Sequence, residues 1–337
     1  MLSHGRKSVF AVVALVAFGL FASIGNVALS QDAPKLSTYQ TWVTSIAFVP
    51  GKTLLVSAGG QSLQFRPGEV NIWSLESGAL VRALTGHTAN VWSVAVAPNG
   101  KWVASSAYNG RVLVHDLDTG NQLAAFDKPK GWVRSVAFSP DSATLVAGAE
   151  DGSLVFWRTE GFTELKTTKA HDAAIYQVVF SPDGKWLGTA SVDKTAKLWN
   201  AADTTEKAKL ATHTDAVWTI AFSTTGLVAT AGADRKLKLW NLDGTEQATL
   251  EGHRDWISSV SFSADGSMLA SASHDKSLRI WSVAQRKEIA SLGPWTQTLW
   301  AAAFAPQGNV VAGGSHGDSL RLWEMAFPKP LFAPEVK

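Results

Sequence analysis

Residues 257–292, ISSVSFSADGSMLASASHDKSLRIWSVAQRKEIASL, read as four short strands separated by turns. Ile257 to Ser263 alternates and predicts a strand, Ala264-Asp265-Gly266 a turn, and Met268 to Ser273 a second strand. His274-Asp275-Lys276 turns again, Leu278 to Trp281 predicts a third strand, and Lys287 to Leu292 a fourth. The first turn recurs as Pro98-Asn99-Gly100, Pro182-Asp183-Gly184 and Pro306-Gln307-Gly308. Proline presets one turn dihedral and glycine supplies a positive φ, so these are tight hairpins rather than sites.

The tryptophan that closes the third strand returns down the chain as Trp73, Trp157, Trp199, Trp240, Trp281 and Trp323, with His115 filling the gap. Successive intervals are 42, 42, 42, 41, 41 and 42 residues. Seven copies of a four-strand unit predict an all-β, seven-bladed β-propeller of four-stranded antiparallel blades. The first strands are expected near residues 43–49, 91–97, 133–139, 175–181, 217–223, 257–263 and 299–305. Either residues 33–39 or residues 331–335 supply the outer strand of blade seven. Pro328, Pro330 and Pro334 weigh against the second without excluding it, because an edge strand tolerates proline. Blade one carries about six extra residues around Gln61 to Pro67, in the turn after its second strand.

Histidine before the first strand, a hydroxyl in the second, aspartate in the following turn and tryptophan ending the third recur together. With these positions the chain resembles the WD-repeat family over about residues 36–325, and it is identified as an exported, bacterial-type member. The resemblance implies a hydrogen-bonded ladder of the four side chains in each complete blade. The sets are His171, Thr189, Asp193 and Trp199 in blade four; His213, Thr230, Asp234 and Trp240 in blade five; His253, Ser271, Asp275 and Trp281 in blade six. A His–Asp pair is also half of a catalytic triad. The structural reading is preferred, because the set recurs with the repeat and no nucleophile accompanies it. Other blades depart from the pattern. Blade two has His87 and Ser105 but Asn109 and His115; blade three has Pro129 and Ala147; blade seven has Trp295 and Gly313.

Residues 1–30 differ from the propeller at residues 31–337. His4, Arg6 and Lys7 precede an uncharged apolar run from Val9 to Ile24, and Ala28-Leu29-Ser30 offers small residues for cleavage before Gln31. This is a signal-peptide pattern and predicts export, to a periplasm or the extracellular space. The alternative is an uncleaved membrane anchor, though Gly19, Ser23, Gly25 and Asn26 make the run a poor one. Once cleaved, no stable membrane insertion is expected. The chain has no cysteine, so it has no disulfide framework and no c-type haem attachment. Lys+Arg 30 against Asp+Glu 28 becomes 28 against 28 without residues 1–30, and no basic run stands out. Nucleic acid is therefore not an expected ligand, and no cofactor is expected.

Gly313 to Gly317 (GGSHG) matches the G-x-S-x-G elbow of hydrolases, but it falls on a strand-to-strand turn and is read as coincidence. His274 and His316 hold matching turn positions in adjacent blades and are the candidates for a metal, with no third ligand evident. Glu150 is the other polar residue that breaks the repeat near the channel. The sharper signal is aromatic. Two positions at the start of each first strand hold Trp42/Thr44, Asn90/Trp92, Trp132/Arg134, Ala174/Tyr176, Ala216/Trp218, Trp256/Ser258 and Thr298/Trp300, one large aromatic per blade. In the family these positions lie on the face where partners dock. Trp92, Tyr176, Trp218 and Trp300 are the expected contacts, with Arg134 interrupting the ring; Trp42, Trp132 and Trp256 are expected to pack. The function expected is a non-catalytic protein- or peptide-binding scaffold outside the cytoplasm. A carbohydrate-binding envelope receptor is the alternative, and a channel-centred metal-dependent enzyme is less favoured.

Overall fold

The computed structural model describes residues 42–60, 66–127, 129, 131–293, 295–306, 310–317 and 320–325. Within each sheet every strand pairs antiparallel with the next along the chain, giving seven consecutive sheets, and there is no helix among the described residues. Six sheets have four strands. The seventh, Leu299–Phe304, Val310–Ser315 and Leu320–Glu324, has three among the described residues. Both segments considered for its outer strand lie outside the described residues, as do residues 1–30 and positions 61–65 of the long turn in blade one.

The first strands run Trp42–Phe48, Val91–Val96, Val133–Phe138, Ile175–Phe180, Val217–Phe222, Ile257–Phe262 and Leu299–Phe304, within a residue of the positions read from the repeat. Each lies against the first strand of the next blade, and the seventh meets the first, so the ring is closed. Burial follows from this geometry. Middle strands such as Met268–Ser273 are buried throughout, because neighbouring blades cover both faces. Outer strands such as Thr163–Lys169 are exposed or half-buried and polar. The core is therefore a set of layers between blades. Val112 and Val114 of blade two pack with Val136, Phe138 and Leu145 of blade three in one of them.

A belt of hydrogen bonds joins the blades around the channel. Ser45 Oγ accepts from Val94 N at 3.1 Å, Ser93 Oγ from Val136 N at 3.3 Å, and Ser135 Oγ from Val178 N at 3.1 Å. Gln177 Oε1 accepts from Ile220 N at 2.8 Å and Thr219 Oγ1 from Val260 N at 3.0 Å. At the next junction Ser259 Oγ donates to the Ala302 carbonyl at 3.2 Å. The aligned residue of blade seven is Ala301, which has no hydroxyl to offer blade one. That seam is held instead by an antiparallel bridge between Trp42 and His316.

Within blades four, five and six the four repeat side chains are joined in series. The His171, His213 and His253 Nδ1 atoms lie 2.8, 2.8 and 2.9 Å from Asp193, Asp234 and Asp275. Their Nε2 atoms lie 2.7, 2.7 and 2.6 Å from Thr189, Thr230 and Ser271. The same hydroxyls accept the indole N–H of Trp199, Trp240 and Trp281 at 2.9, 2.8 and 2.8 Å. Burial pushes the Asp193, Asp234 and Asp275 carboxyls up, but hydrogen bonds led by the histidine outweigh it and hold all three below the usual range.

The other blades solve the same space differently. In blade two His87 Nε2 meets Ser105 Oγ at 2.8 Å, while His115 turns to the Thr85 carbonyl at 2.9 Å. The Nδ1 atoms of both histidines are buried without a partner. In blade three Trp157 is covered by the stacked ring of Phe126, 4.6 Å away. In blade seven Trp295 occupies the histidine position and packs 5.4 Å from Trp323. A Cβ on Gly313 would come 2.9 Å from the Trp295 ring, so the absent side chain makes room for the indole. Gly313 to Ser315 end the strand Val310–Ser315, and the next described strand begins at Leu320, so the GGSHG stretch runs off the end of one strand toward another strand.

The aromatic mouth of the channel as candidate site

The pairing of first and second strands skips one residue at the same place in every blade. The skipped residues are Thr44, Trp92, Arg134, Tyr176, Trp218, Ser258 and Trp300, the inner positions of the aromatic set. A bulged residue is released from the ladder and its side chain is re-aimed, here toward the channel mouth. Where the residue is small, its hydroxyl ties the blades together. Thr44 Oγ1 donates to the Ala58 and Val91 carbonyls at 3.1 and 2.7 Å, and Ser258 Oγ to those of Ala272 and Leu299 at 3.1 and 2.8 Å.

The large side chains meet across the mouth. Tyr176 stacks on Trp218 at 5.3 Å, and the Trp218 and Trp300 rings lie parallel at 6.4 Å. Trp300 also stacks on Trp42 at 6.3 Å and packs on Trp92 at 6.1 Å. Trp132 meets Tyr176 edge-on at 5.9 Å, and Trp256 lies 4.9 Å from Trp218. The seven aromatics thus form one connected cluster. A cavity of about 410 Å³ lies behind it, lined by the bulge and belt residues. A second space of about 450 Å³ is lined by Phe138, Phe180, Phe222 and Phe262 together with Gln177, Ser181 and Ser261.

Exposure divides the cluster differently from the sequence expectation. Trp92, expected as a contact, is only 6% exposed, because Trp300 and the Arg134 guanidinium (4.0 Å from its ring) cover it. Trp256, expected to pack, is 44% exposed. Its blade carries Ser258 at the bulge, which is too short to reach over the neighbouring indole. Tyr176, Trp218, Trp300, Trp42 and Trp132 are half-buried.

Arg134 sits among three rings, its Cζ also 4.2 Å from Tyr176 and 4.9 Å from Trp132. Burial lowers its pKa to about 10 and leaves it cationic. The turns after the second strands add Tyr108, Glu150, Val192, Ala233, His274 and His316 to the rim, each backbone N–H bonded to a carbonyl at the start of its blade's first strand. His274 contacts Trp300 edge-on at 4.5 Å and His316 contacts Trp42 at 4.1 Å. The two imidazoles are thus separated by the Trp42–Trp300 stack, and burial lowers both pKa values. Asp275 is engaged by His253, while position 318 lies outside the described residues. No three His, Asp, Glu or Cys side chains converge on a metal position among the described residues. The bulges carry no residue signature and were not foreseen from sequence.

Residues 42–248 match the family model described as the IFT122 first beta-propeller, and residues 244–282 and 286–324 each match that of the WD domain, G-beta repeat. The chain belongs to this family of WD-repeat propellers. Local stretches resemble named WD-repeat relatives. The chain is 36% identical over 66 residues to "Lissencephaly-1 homolog 1" of Paramecium tetraurelia, a stretch covering 19% of this chain and 16% of that protein. It is 39% identical over 62 residues to "Nuclear distribution protein PAC1" of Arthroderma benhamiae, covering 18% and 13%. It is 42% identical over 69 residues to the "Coronin-like protein" of Saccharomyces cerevisiae, covering 20% and 10%. The match thus spans a sixth or less of each relative's length. All three are eukaryotic proteins, and the expectation of a bacterial-type member finds no support in them.

Proposed function

We propose that this WD-repeat propeller is a non-catalytic scaffold that docks a protein or peptide partner on the aromatic mouth of its channel. The observation that carries the reading is the connected aromatic cluster, presented by bulges on a closed ring, with Trp256 exposed at its edge. Large, stiff aromatics dominate binding hot spots because they bury much area with few rotatable bonds. Binding outside the cytoplasm is part of the proposal and rests on residues 1–30 alone. Fractionation of its own cells with N-terminal sequencing tests it: a start at Gln31 outside the cytoplasm is expected, and recovery of the chain in the cytoplasm is contrary to it.

The docking surface is tested with a partner captured on the chain lacking residues 1–30. Trp256→Ala and Trp218→Ala should each weaken that partner's affinity by about 2 kcal/mol, roughly thirtyfold, with the fold intact by circular dichroism. Unchanged affinity in both variants would place the interface elsewhere on the propeller.

A further inference from the structure

Among the described residues, no counter-charge pairs with the cation at the channel mouth. Arg134 is the one charged side chain among the described residues that line the cavity behind the aromatic cluster. Among the described residues its guanidinium donates no hydrogen bond and joins no ion pair, and its Nε is buried without a partner. Two described carboxylates of this rim accept backbone N–H groups and pair with no guanidinium. Glu150 Oε2 accepts from Trp132 N at 3.2 Å, and Asp255 Oδ1 accepts from Trp256 N at 2.8 Å. Arg134 is half-buried, and leaving its Nε without a partner away from water is unfavourable; the three surrounding rings offset only part of the loss.

Three more polar atoms of the same cluster are buried without partners: Trp92 Nε1, Trp300 Nε1 and His274 Nε2. Both indole nitrogens are obligate donors, and the Trp92 ring is in contact with both Arg134 and Trp300. Elsewhere in the propeller the repeat indoles of the complete ladders are all satisfied. Unpaired donors in one connected cluster with Arg134 call for an acceptor, because buried donors in native proteins almost always find partners.

We propose that the mouth is a receptor for a carboxylate, the side chain of an aspartate or glutamate on the docking partner. The proposal rests on the docking reading above and names the chemistry of what docks. A carboxylate matches the site in charge and shape. One guanidinium balances one negative charge, and its in-plane N–H groups meet a planar two-oxygen acceptor while the rings hold its faces. A phosphate group carries close to two charges at neutral pH and would bring an excess into a site with a single cation. The Trp92 and Trp300 indole N–H groups supply the remaining donors, and the rings around Arg134 make the ion pair stronger by keeping water from it.

The test uses the chain lacking residues 1–30, with N-acetyl-glutamate amide, its glutamine counterpart and sodium phosphate as probes, at constant ionic strength. Nitrogen–proton NMR of the indoles reads binding. The expected result is a saturable shift of the Trp92 and Trp300 indole signals with the glutamate probe, at least tenfold weaker with the glutamine probe and with phosphate. Arg134→Gln should remove the response. Arg134→Lys keeps the charge but loses the planar fork and should weaken it about tenfold, and it serves if the glutamine variant does not fold. Equal responses to both amino-acid probes, tighter binding of phosphate, or an unchanged response in either folded variant would overturn the assignment. If the probes fail while Trp256→Ala still weakens a captured partner, the docking surface stands and the carboxylate falls. If the probes bind while Trp256→Ala and Trp218→Ala leave the partner unaffected, the anion site stands and the docking surface does not.

Discussion

Blade five and blade two begin from the same plan and complete it differently. In blade five Thr230 takes the Trp240 indole N–H and meets His213, which closes on Asp234, so the series ends on a carboxylate. In blade two Asn109 turns to Thr88 at 3.0 Å, His115 turns to a backbone carbonyl, and each histidine keeps an unpaired Nδ1. Yet the belt runs through blade two without a break, from Ser45 to Val94 and from Ser93 to Val136. The ladder joins strands within a blade and the belt joins one blade to the next. A blade can lose the first while its neighbours hold it by the second.

Acid should separate the two blades most. Burial, reinforced by His115 and Arg111, lowers the His87 pKa from 6.5 to about 3. A histidine held neutral in the fold stabilises it fully above pH 6.5, and that stability is lost as the pH falls toward 3. The loss amounts to at most about 1.4 kcal/mol per pH unit from this group. The ladder aspartates, depressed from a lower starting point, begin to matter only near and below their unfolded value of 3.8. Urea unfolding between pH 7 and 4 should therefore show declining stability. Asn109→Asp, which supplies the carboxylate of blade five at the matching place, should flatten that decline. A slope that this variant leaves unaltered would trace the acid sensitivity to other groups, such as His274 and His316.

Thr230→Val preserves shape while stranding the Trp240 indole and the His213 imidazole, and should lower stability by upwards of about 2 kcal/mol. Ser105→Ala strands only His87 Nε2 and should do less. Next in size, Asp234→Ala orphans His213 Nδ1, for a loss of about 1–3 kcal/mol. Asp151→Ala in blade three, whose exposed carboxylate accepts from Ser153 N alone among the described residues, should stay below about 1 kcal/mol. Equal shifts in melting temperature for the two aspartate variants would undo the distinction between complete and incomplete blades. The smallest effect is a gain. Ala301→Ser places a hydroxyl at the seam where the belt is broken, and should add about 0.5–1.5 kcal/mol if it reaches blade one as Ser45 reaches blade two. No gain would mean that the Trp42–His316 bridge already sets the spacing there.

The repeat made the fold legible, because one well-punctuated unit of 36 residues could be laid over six others and strand starts fell within a residue. The ladder positions were named by the same alignment, since each sits at a fixed distance from a turn. The belt was not legible. Ser45, Ser93 and Ser135 each read as a lone serine in a strand, which looks the same whether it faces water or the backbone of the next blade. The exposures of Trp92 and Trp256 were inverted for a related reason. They depend on where the long side chain of Arg134 lies and on how short Ser258 is, and such relations between blades leave no periodic trace.

Seven near-copies in one chain invite confusion during folding, when a strand can pair within the wrong unit or with another molecule. The Trp295–Gly313 fit works as an address label against such errors. A Cβ at position 313 would already press on the indole, and the corresponding residues of blades two, four, five and six carry hydroxyl side chains there. The segment bearing Trp295 is thus poorly received by those second strands and well received by its own. Since this pair marks the last blade, it also marks where the ring has to close.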